Sequence, residues 1–421
     1  MTDAGLDTVA SLSDARRTLR VQAVAHDRVE ACPVSAADGR VLAESIAADR
    51  AVPRYDRAAT DGYAVRARDT FGASDRSPVT LAHTESRVPE GGAVPVQTGN
   101  ALPEGAEAVV MVEQTQRRGA DVLVYDAVAD GENVATTGED VAVGQRLLAA
   151  GRRVRPSDLA LLRSAGHETV SVAERPRVSV IPTGDELVPA GADPATGETV
   201  ETNGLLVSTL VTQWGGVATR RDIVPDDEAT LGRAIERDTD HDVVVTTGGS
   251  SVGERDLVAD VVQARGDVLF HGVALTPGRS VGVGVVDDTV VLVLPGAPVS
   301  CLVTAVQFLR PLVAWLAGTN PPAHSTIEGR LTAKLRSEPG THTFARVRLG
   351  ETNSEQRAVE PVRTGGAGVM SSVTRSDGWV EIPPEREGFA AGTTVSIQQW
   401  EQPRPVAGRD DRPPRPLRGA R

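Results

Sequence analysis

The stretch DVVVTTGGSSVGERD, residues 242–256, decides how the chain is read. Asp242 to Val245 suit a buried strand. Gly248, Gly249, Ser250, Ser251 and Gly253 then form a turn, and LVADVVQAR, from Leu257, has the apolar spacing of a helix. Strand, glycine-rich turn and helix in that order set backbone N–H groups and a helix N-terminus where a phosphate can dock. Glu254 and Asp256 add carboxylates beside that anion, which makes sense when a divalent cation such as Mg²⁺ bridges the two. The plain alternative is an ordinary βα turn, so the weight falls on the sequence around it.

Working outward, VSVI after Arg177 predicts a strand, LLVSTLVTQ a helix, VATRRDIV a strand and DEATLGRAIERD a helix with an acidic first turn. Beyond the opening stretch come VLFHGVAL, VGVGVV, TVVLVL and the helical SCLVTAVQFLRPLVAWLAG. This alternation predicts a doubly wound α/β domain over residues 176–319, with ligands beyond the carboxyl ends of its strands. Helical spacing over Leu12 to Val29, with Ser11 or Ser13 as cap, and again near GEDVAVGQRLLAAGRRVRPSDLALLRSAG, predicts a helical N-terminal domain from residues 1–50 and 140–175. Short β-like runs over 51–139 read as a β module inserted into it, and 326–400 as a small C-terminal β domain. The Pro/Arg-rich tail, 401–421, reads as disordered.

Composition bounds the function. At 421 residues the chain has room for two to four domains, and 40% apolar with 24% charged residues is a globular balance. A net charge of −13 argues against a nucleic-acid face, and 3% aromatics against base-stacking platforms. Lys334 is the only lysine; arginine carries nearly all positive charge. Cys32 and Cys301 fit no metal-ligand spacing and read as buried thiols of a reducing compartment. No signal peptide is visible at the start, and Val290 to Gly318, broken by Pro295, Pro298, Arg310 and Pro311, reads as strand, turn and buried helix. The expected location is therefore the cytoplasm, with neither a membrane nor a nucleic acid as partner.

Further turns carry candidate chemistry. In IPTGDELV, Asp185 and Glu186 follow a strand and suit either Mg²⁺ coordination or a capped turn, with Thr202 and Asn203 just before the next helix. Asp226 and Asp227 open a helix, where capping is the stronger reading. Ser300, in PGAPVS, either donates to an oxyanion or caps its helix. Arg279, in LTPGRS after Pro277 and Gly278, is a fork-shaped oxyanion partner or solvated surface. Asp61, in ATDGYAV, reads as a turn before a strand. No Ser–His–acid or Cys–His set stands out, so nucleophilic catalysis is not indicated.

In this order, YDRAATDGYAV, QTGNALPEGAEAVVMVE, GEDVAVGQRLLAAG, IPTGDELV, TTGGSSVGERD, LTPGRS, PGAPVSC and GVMSSVTRSDGWVEIP resemble the molybdopterin molybdenumtransferase (MoeA) family, to which the E domain of gephyrin is similar. The resemblance runs from about Leu12 to Ser396. It implies a helical domain, an inserted β module, a molybdopterin-binding α/β domain and a C-terminal β barrel-like domain. It also implies a homodimer, with a cleft between the α/β domain of one subunit and the β module of the other. The implied reaction is Mg²⁺-dependent insertion of molybdate, or tungstate, into adenylylated molybdopterin with release of AMP, with transient contacts to other proteins of cofactor synthesis. By resemblance Asp61, Asp140, Asp185, Glu186 and Asp256 are catalytic, the last three holding the metal. Thr98, Asp226, Gly248, Gly249, Ser250, Ser251, Gly253, Pro277, Gly278, Arg279, Ser300 and Arg346 would then bind substrate.

The chain departs from the family pattern in places. LTPGRS replaces the usual MKPGKP, so Thr276 and Arg279 stand for lysines. Ala297 replaces an asparagine, Arg57 and Ala58 replace Asn and Ser, and Ala367 a serine. Each donor lost from a charged-ligand site costs about 1.5–3 kcal/mol. Two other readings compete with the insertase: a non-catalytic pterin-binding or scaffold paralogue, and a molybdopterin adenylyltransferase.

Overall fold

The structure, a computed structural model, describes residues 9–249, 257–353, 356–362 and 368–401. It divides into two compact units, one formed by the chain up to Arg28 and from Glu174 onward, the other by Val29–Ala173.

The first unit is built on a six-stranded sheet ordered Val217–Arg220, Arg177–Pro182, Val243–Thr247, Thr289–Leu294, Gly282–Val286, Asp267–His271. The first four are parallel; the last two add an antiparallel edge. Parallel strands covered on both faces need near-continuous apolar runs. Alternation inside those runs sorts side chains to opposite faces. Val178, Val180, Val243 and Val245 face one core with Leu292. Ile181, Val244, Val291 and Val293 face the other with Leu231 and Ile235.

The helical segment Pro298–Leu316 spans 19 residues and is long and apolar enough to cross a membrane, yet 89% of its apolar window is buried inside the fold. It widens to a π turn over Ala305–Leu309 just before Arg310–Leu316. The first helix, Leu12–Gln22, is capped by Ser11, whose hydroxyl accepts from the Asp14 N–H at 3.1 Å. It ends well short of Val29, because Val29–Pro33 is a strand paired with Thr169–Ala173. Leu12, Ala15, Leu19 and Ala23 form one stripe buried in the α/β core. That corrects the expected 1–50 segment: the helix belongs to the α/β unit, and the chain changes unit near Arg28.

Five C-terminal strands close into a barrel. His342–Asn353 pairs with both Gln356–Pro361 and Gly378–Ile382, and Ser325–Leu331 and Thr394–Gln399 complete the ring. Leu275–Thr276, from the α/β domain, adds to the barrel edge in parallel, Leu275 opposite His342 and Thr276 opposite Thr343.

The second unit holds a six-stranded sheet ordered Ala108–Met111, Gly62–Val65, Gly92–Val96, Val79–His83, Asp121–Val124, Thr115–Arg118. Beside it, Cys32, Val34, Leu162, Val170 and Val172 share a smaller core. The helical pattern predicted around 140–166 narrows to Pro156–Ser164. Arg146–Leu148 instead pairs with Ile46–Ala47, between turns at Gly144 and Gly151 that interrupt any helix.

Candidate active site

The turns after the parallel strands meet at one edge of the sheet, as the topology requires. Thr183 N–H bonds the Thr247 carbonyl at 3.3 Å, Gly248 N–H the Leu294 carbonyl at 3.1 Å and Gly184 N–H the Val224 carbonyl at 3.2 Å. Gly248 cannot be replaced: at φ +118° a Cβ would stand 2.1 Å from the Thr183 carbonyl oxygen.

The acidic turns interlock there. Asp226 N–H donates to Asp185 Oδ1 at 3.0 Å, and the Thr183 hydroxyl to Asp226 Oδ1 at 3.0 Å. Asp227, not Asp226, caps the following helix, accepting the Thr230 N–H at 2.8 Å. The capping reading thus holds for one aspartate of the pair and releases the other to the site. The Glu186 carboxylate folds over Gly184, Oε2 lying 2.6 Å from where a Cβ would be. Asn203 Nδ2 donates to the Gly296 carbonyl at 2.7 Å, while its own Oδ1 is buried without a partner. Glu201, buried and accepting the Gly204 N–H at 2.5 Å, is a neighbour that the sequence pattern did not single out.

Asp185, Glu186 and Asp226 offer only hard oxygen donors, and no arginine among the described residues pairs with them. That donor chemistry suits a divalent cation. Among the described residues no set of three metal-ligating side chains is assembled, and Asp256, the expected third ligand, lies outside them. So do Ser250, Ser251, Gly253 and Glu254, and Ala367 in the barrel.

A cavity of about 510 Å³ opens where the α/β domain meets the barrel, and Thr276, Pro277, Gly278, Arg279, Ser300 and Arg346 all line it. The pairing of Leu275–Thr276 with His342–Thr343 explains the assembly, since it fixes the LTPGRS loop beside the strand that carries Arg346. Gly278 makes the loop's close approach possible. It sits at φ +123°, and a Cβ there would lie 2.5 Å from Thr304 Cγ2.

Arg346 is 9% exposed, and its Nε is buried with no hydrogen-bond partner. Burial lowers its guanidinium pKa from the usual value. Arg279 is exposed on the loop. Ser300 is buried on the third residue of a helix whose N-cap is Ala297, so the capping alternative for Ser300 is overturned. Arg336, which no motif announced, lines the same cavity from a short strand, Leu335–Arg336, that pairs with Gly388–Phe389. Among the described residues none of Arg279, Arg336 and Arg346 pairs with a carboxylate. Convergent guanidiniums, hydroxyls and an orphaned N–H can hold a tetrahedral dianion.

In the second unit, Asp61 Oδ1 accepts both the backbone N–H and the hydroxyl of Thr98, at 2.7 and 2.8 Å. The backbone bond, then the hydroxyl, lowers the Asp61 pKa. Asp140 is exposed in a turn, its N–H bonded to the Val52 carbonyl at 3.0 Å.

A doubly wound α/β domain with an acidic, glycine-rich edge, joined to a closed barrel that lends an arginine to a shared cavity, defines a class of multidomain α/β-and-barrel chains. Residues 10–166 match the MoeA N-terminal region (domain I and II), 179–315 a probable molybdopterin binding domain, and 328–400 the MoeA C-terminal region (domain IV). Molybdopterin molybdenumtransferase 2 of Mycobacterium tuberculosis is 33% identical, covering 90% of this chain and 98% of that protein. The molybdopterin molybdenumtransferase of Haemophilus influenzae is 32% identical over 93% of this chain and 98% of its own. A crystal structure of the molybdopterin biosynthesis MoeA protein from Pyrococcus horikoshii superimposes with a TM-score of 0.81 at 31% identity, covering 93% of this chain and all of that one. The chain belongs to the molybdopterin molybdenumtransferase (MoeA) family.

Proposed function

We propose that this chain is a cytoplasmic, homodimeric molybdopterin molybdenumtransferase that inserts molybdate, or tungstate, into adenylylated molybdopterin and releases AMP. The observation that carries the reading is the buried Arg346 Nε without a partner, in a cavity shared with Arg279 and Ser300. Arg346 and Arg279 grip the oxyanion, Ser300 and Thr276 offer hydroxyl donors, and the glycine-rich loop that begins at Gly248 and Gly249 would bind the pyrophosphate. Mg²⁺, when bound by Asp185, Glu186 and Asp256, would neutralise charge on the phosphoanhydride as it breaks. Asp226 orients Asp185 through its N–H. Asp61, held ionised by Thr98, and Asp140 are the carboxylates that the β module would contribute to the reaction.

The test is AMP release from adenylylated molybdopterin by the purified protein with Mg²⁺, molybdate and tungstate supplied separately. Oxyanion-dependent release that falls about 10- to 100-fold in Arg346→Gln is expected, the loss of one or two charge-assisted bonds. Pterin binding without oxyanion-dependent release would overturn the enzyme in favour of a binding protein. ATP-dependent adenylylation of free molybdopterin would favour the adenylyltransferase.

A further inference from the structure

A second cavity, of about 500 Å³, lies between the first helix, the long helix and the barrel, and shares no lining residue with the Arg346 cavity. Arg16, Arg17 and Arg20 reach it from the first helix, and Arg310 and Trp315 from the long one. Four arginines around one cavity are unexpected in a chain of net charge −13.

Their partners are almost all neutral. Arg16 Nε donates to the Gln307 carbonyl at 3.1 Å, and its Nη2 to the Gln307 side-chain oxygen. That carbonyl is free to accept because Pro311, four residues on, has no N–H to give it. Arg310 donates to His324 Nε2 at 3.0 Å and to the Pro322 carbonyl. Arg20 donates to the Ala23 carbonyl at 3.0 Å and stacks 5.1 Å over the Trp315 ring. Only Arg17 has a carboxylate, Asp14, at the solvent surface.

The one acid on the cavity wall, Glu381, is already taken by His342 and Gln398, each at 2.6 Å. Burial lowers the pKa of Arg16 and of Arg310, and Arg310 is lowered further by the charge of Arg16. The charge of Glu381 partly offsets that burial at Arg16, yet four guanidiniums are gathered and partly desolvated around a single carboxylate whose hydrogen bonds go elsewhere.

We propose that this cavity is a second anion site that binds the phosphate group of a small phosphorylated molecule, with Arg16, Arg20 and Arg310 as its forks. Several guanidiniums match the oxygens of a tetrahedral dianion better than they match one carboxylate. Trp315, Pro311 and Pro321 supply an apolar wall for the organic part of such an ester.

The experiment titrates the full-length protein with inorganic phosphate and with phenyl phosphate, following heat and tryptophan emission. The Arg346→Gln background removes the first oxyanion cavity from the reading. Saturable binding in that background is expected, weakened at least about tenfold by either Arg310→Gln or the exposed Arg20→Gln. Phenyl phosphate should bind more tightly than phosphate. The emission change should vanish in Trp315→Phe, because phosphate draws Arg20 from the ring. Arg20→Gln, on the helix surface, keeps the test valid if Arg310→Gln fails to fold. Absence of saturable binding, binding indifferent to both substitutions, or an Arg20→Gln effect confined to oligomer mass would each overturn the proposal.

Discussion

Replacing Gly278 with alanine isolates what the anion loop demands of its sequence. Two penalties act together. At φ +123° an L side chain is strained, which costs about 1–3 kcal/mol. The new Cβ would also stand 2.5 Å from Thr304 Cγ2, a clash in a buried site that costs about 1–3 kcal/mol more. Thr304 can be edited without disturbing its bonds, since its hydroxyl donates to the Ser300 carbonyl at 2.8 Å and to that of Cys301 at 3.1 Å. Thr304→Ser keeps the hydroxyl and removes only the methyl, at about 1 kcal/mol on its own. In Gly278→Ala/Thr304→Ser the clash disappears and the backbone strain stays, so the double variant should recover about 1–2 kcal/mol relative to the sum of the singles. Urea unfolding of the four proteins, with molybdate affinity measured alongside, provides the cycle. A Gly278→Ala protein as stable as its parent would refute the argument. So would a double variant that shows no coupling.

Three further outcomes are expected. Asp238, wholly buried, is desolvated, but bonds from Arg237, Arg221 and Ser179 outweigh that cost and hold its pKa far below the carboxylate range. Its contribution is present above the unfolded value, near pH 3.9, and is lost as pH falls through the folded one. Asp238→Asn should cost about 3–5 kcal/mol at neutral pH and flatten the acid limb of a stability–pH curve. His324 is pushed down to about 4 by burial and then by Arg310, so the unfolded chain takes up its proton first. Stability should fall as pH drops from about 6.5 towards 4, and His324→Gln should remove that slope. Cys32 and Cys301 are both free and buried, and burial raises the Cys301 thiol pKa. Neither should react with a thiol reagent until the protein is unfolded; rapid native labelling would contradict the packing.

The α/β domain was legible because its information is local. The valines of 243–245 and the apolar runs of 289–294 announce strands buried on both faces, and IPTGDELV and TTGGSS mark the turns that follow them. The convergence of Asp185 with Asp226 was half legible: two acidic turns were visible, but which aspartate would cap its helix depends on where Thr183 and Thr230 point. What local pattern cannot carry is pairing between distant segments. The two-residue ladder that seats the LTPGRS loop on the barrel joins positions far apart in sequence, so nothing near Arg336 hinted at an oxyanion cavity. The first helix shows the same limit. Its apolar stripe was readable, but not the core that receives it, nor that Arg16 would find a carbonyl released by Pro311.

That short ladder also bears on how such chains can be recombined. A barrel that served only as an appended module could be exchanged between relatives at the TNPPAHS linker. Here His342 and Thr343 are the edge on which Leu275 and Thr276 rest, so a chimera joined at the linker inherits a loop shaped for another barrel's strand. A hybrid gene would have to carry residues 275–280 together with the barrel as one heritable block, although more than forty codons separate them.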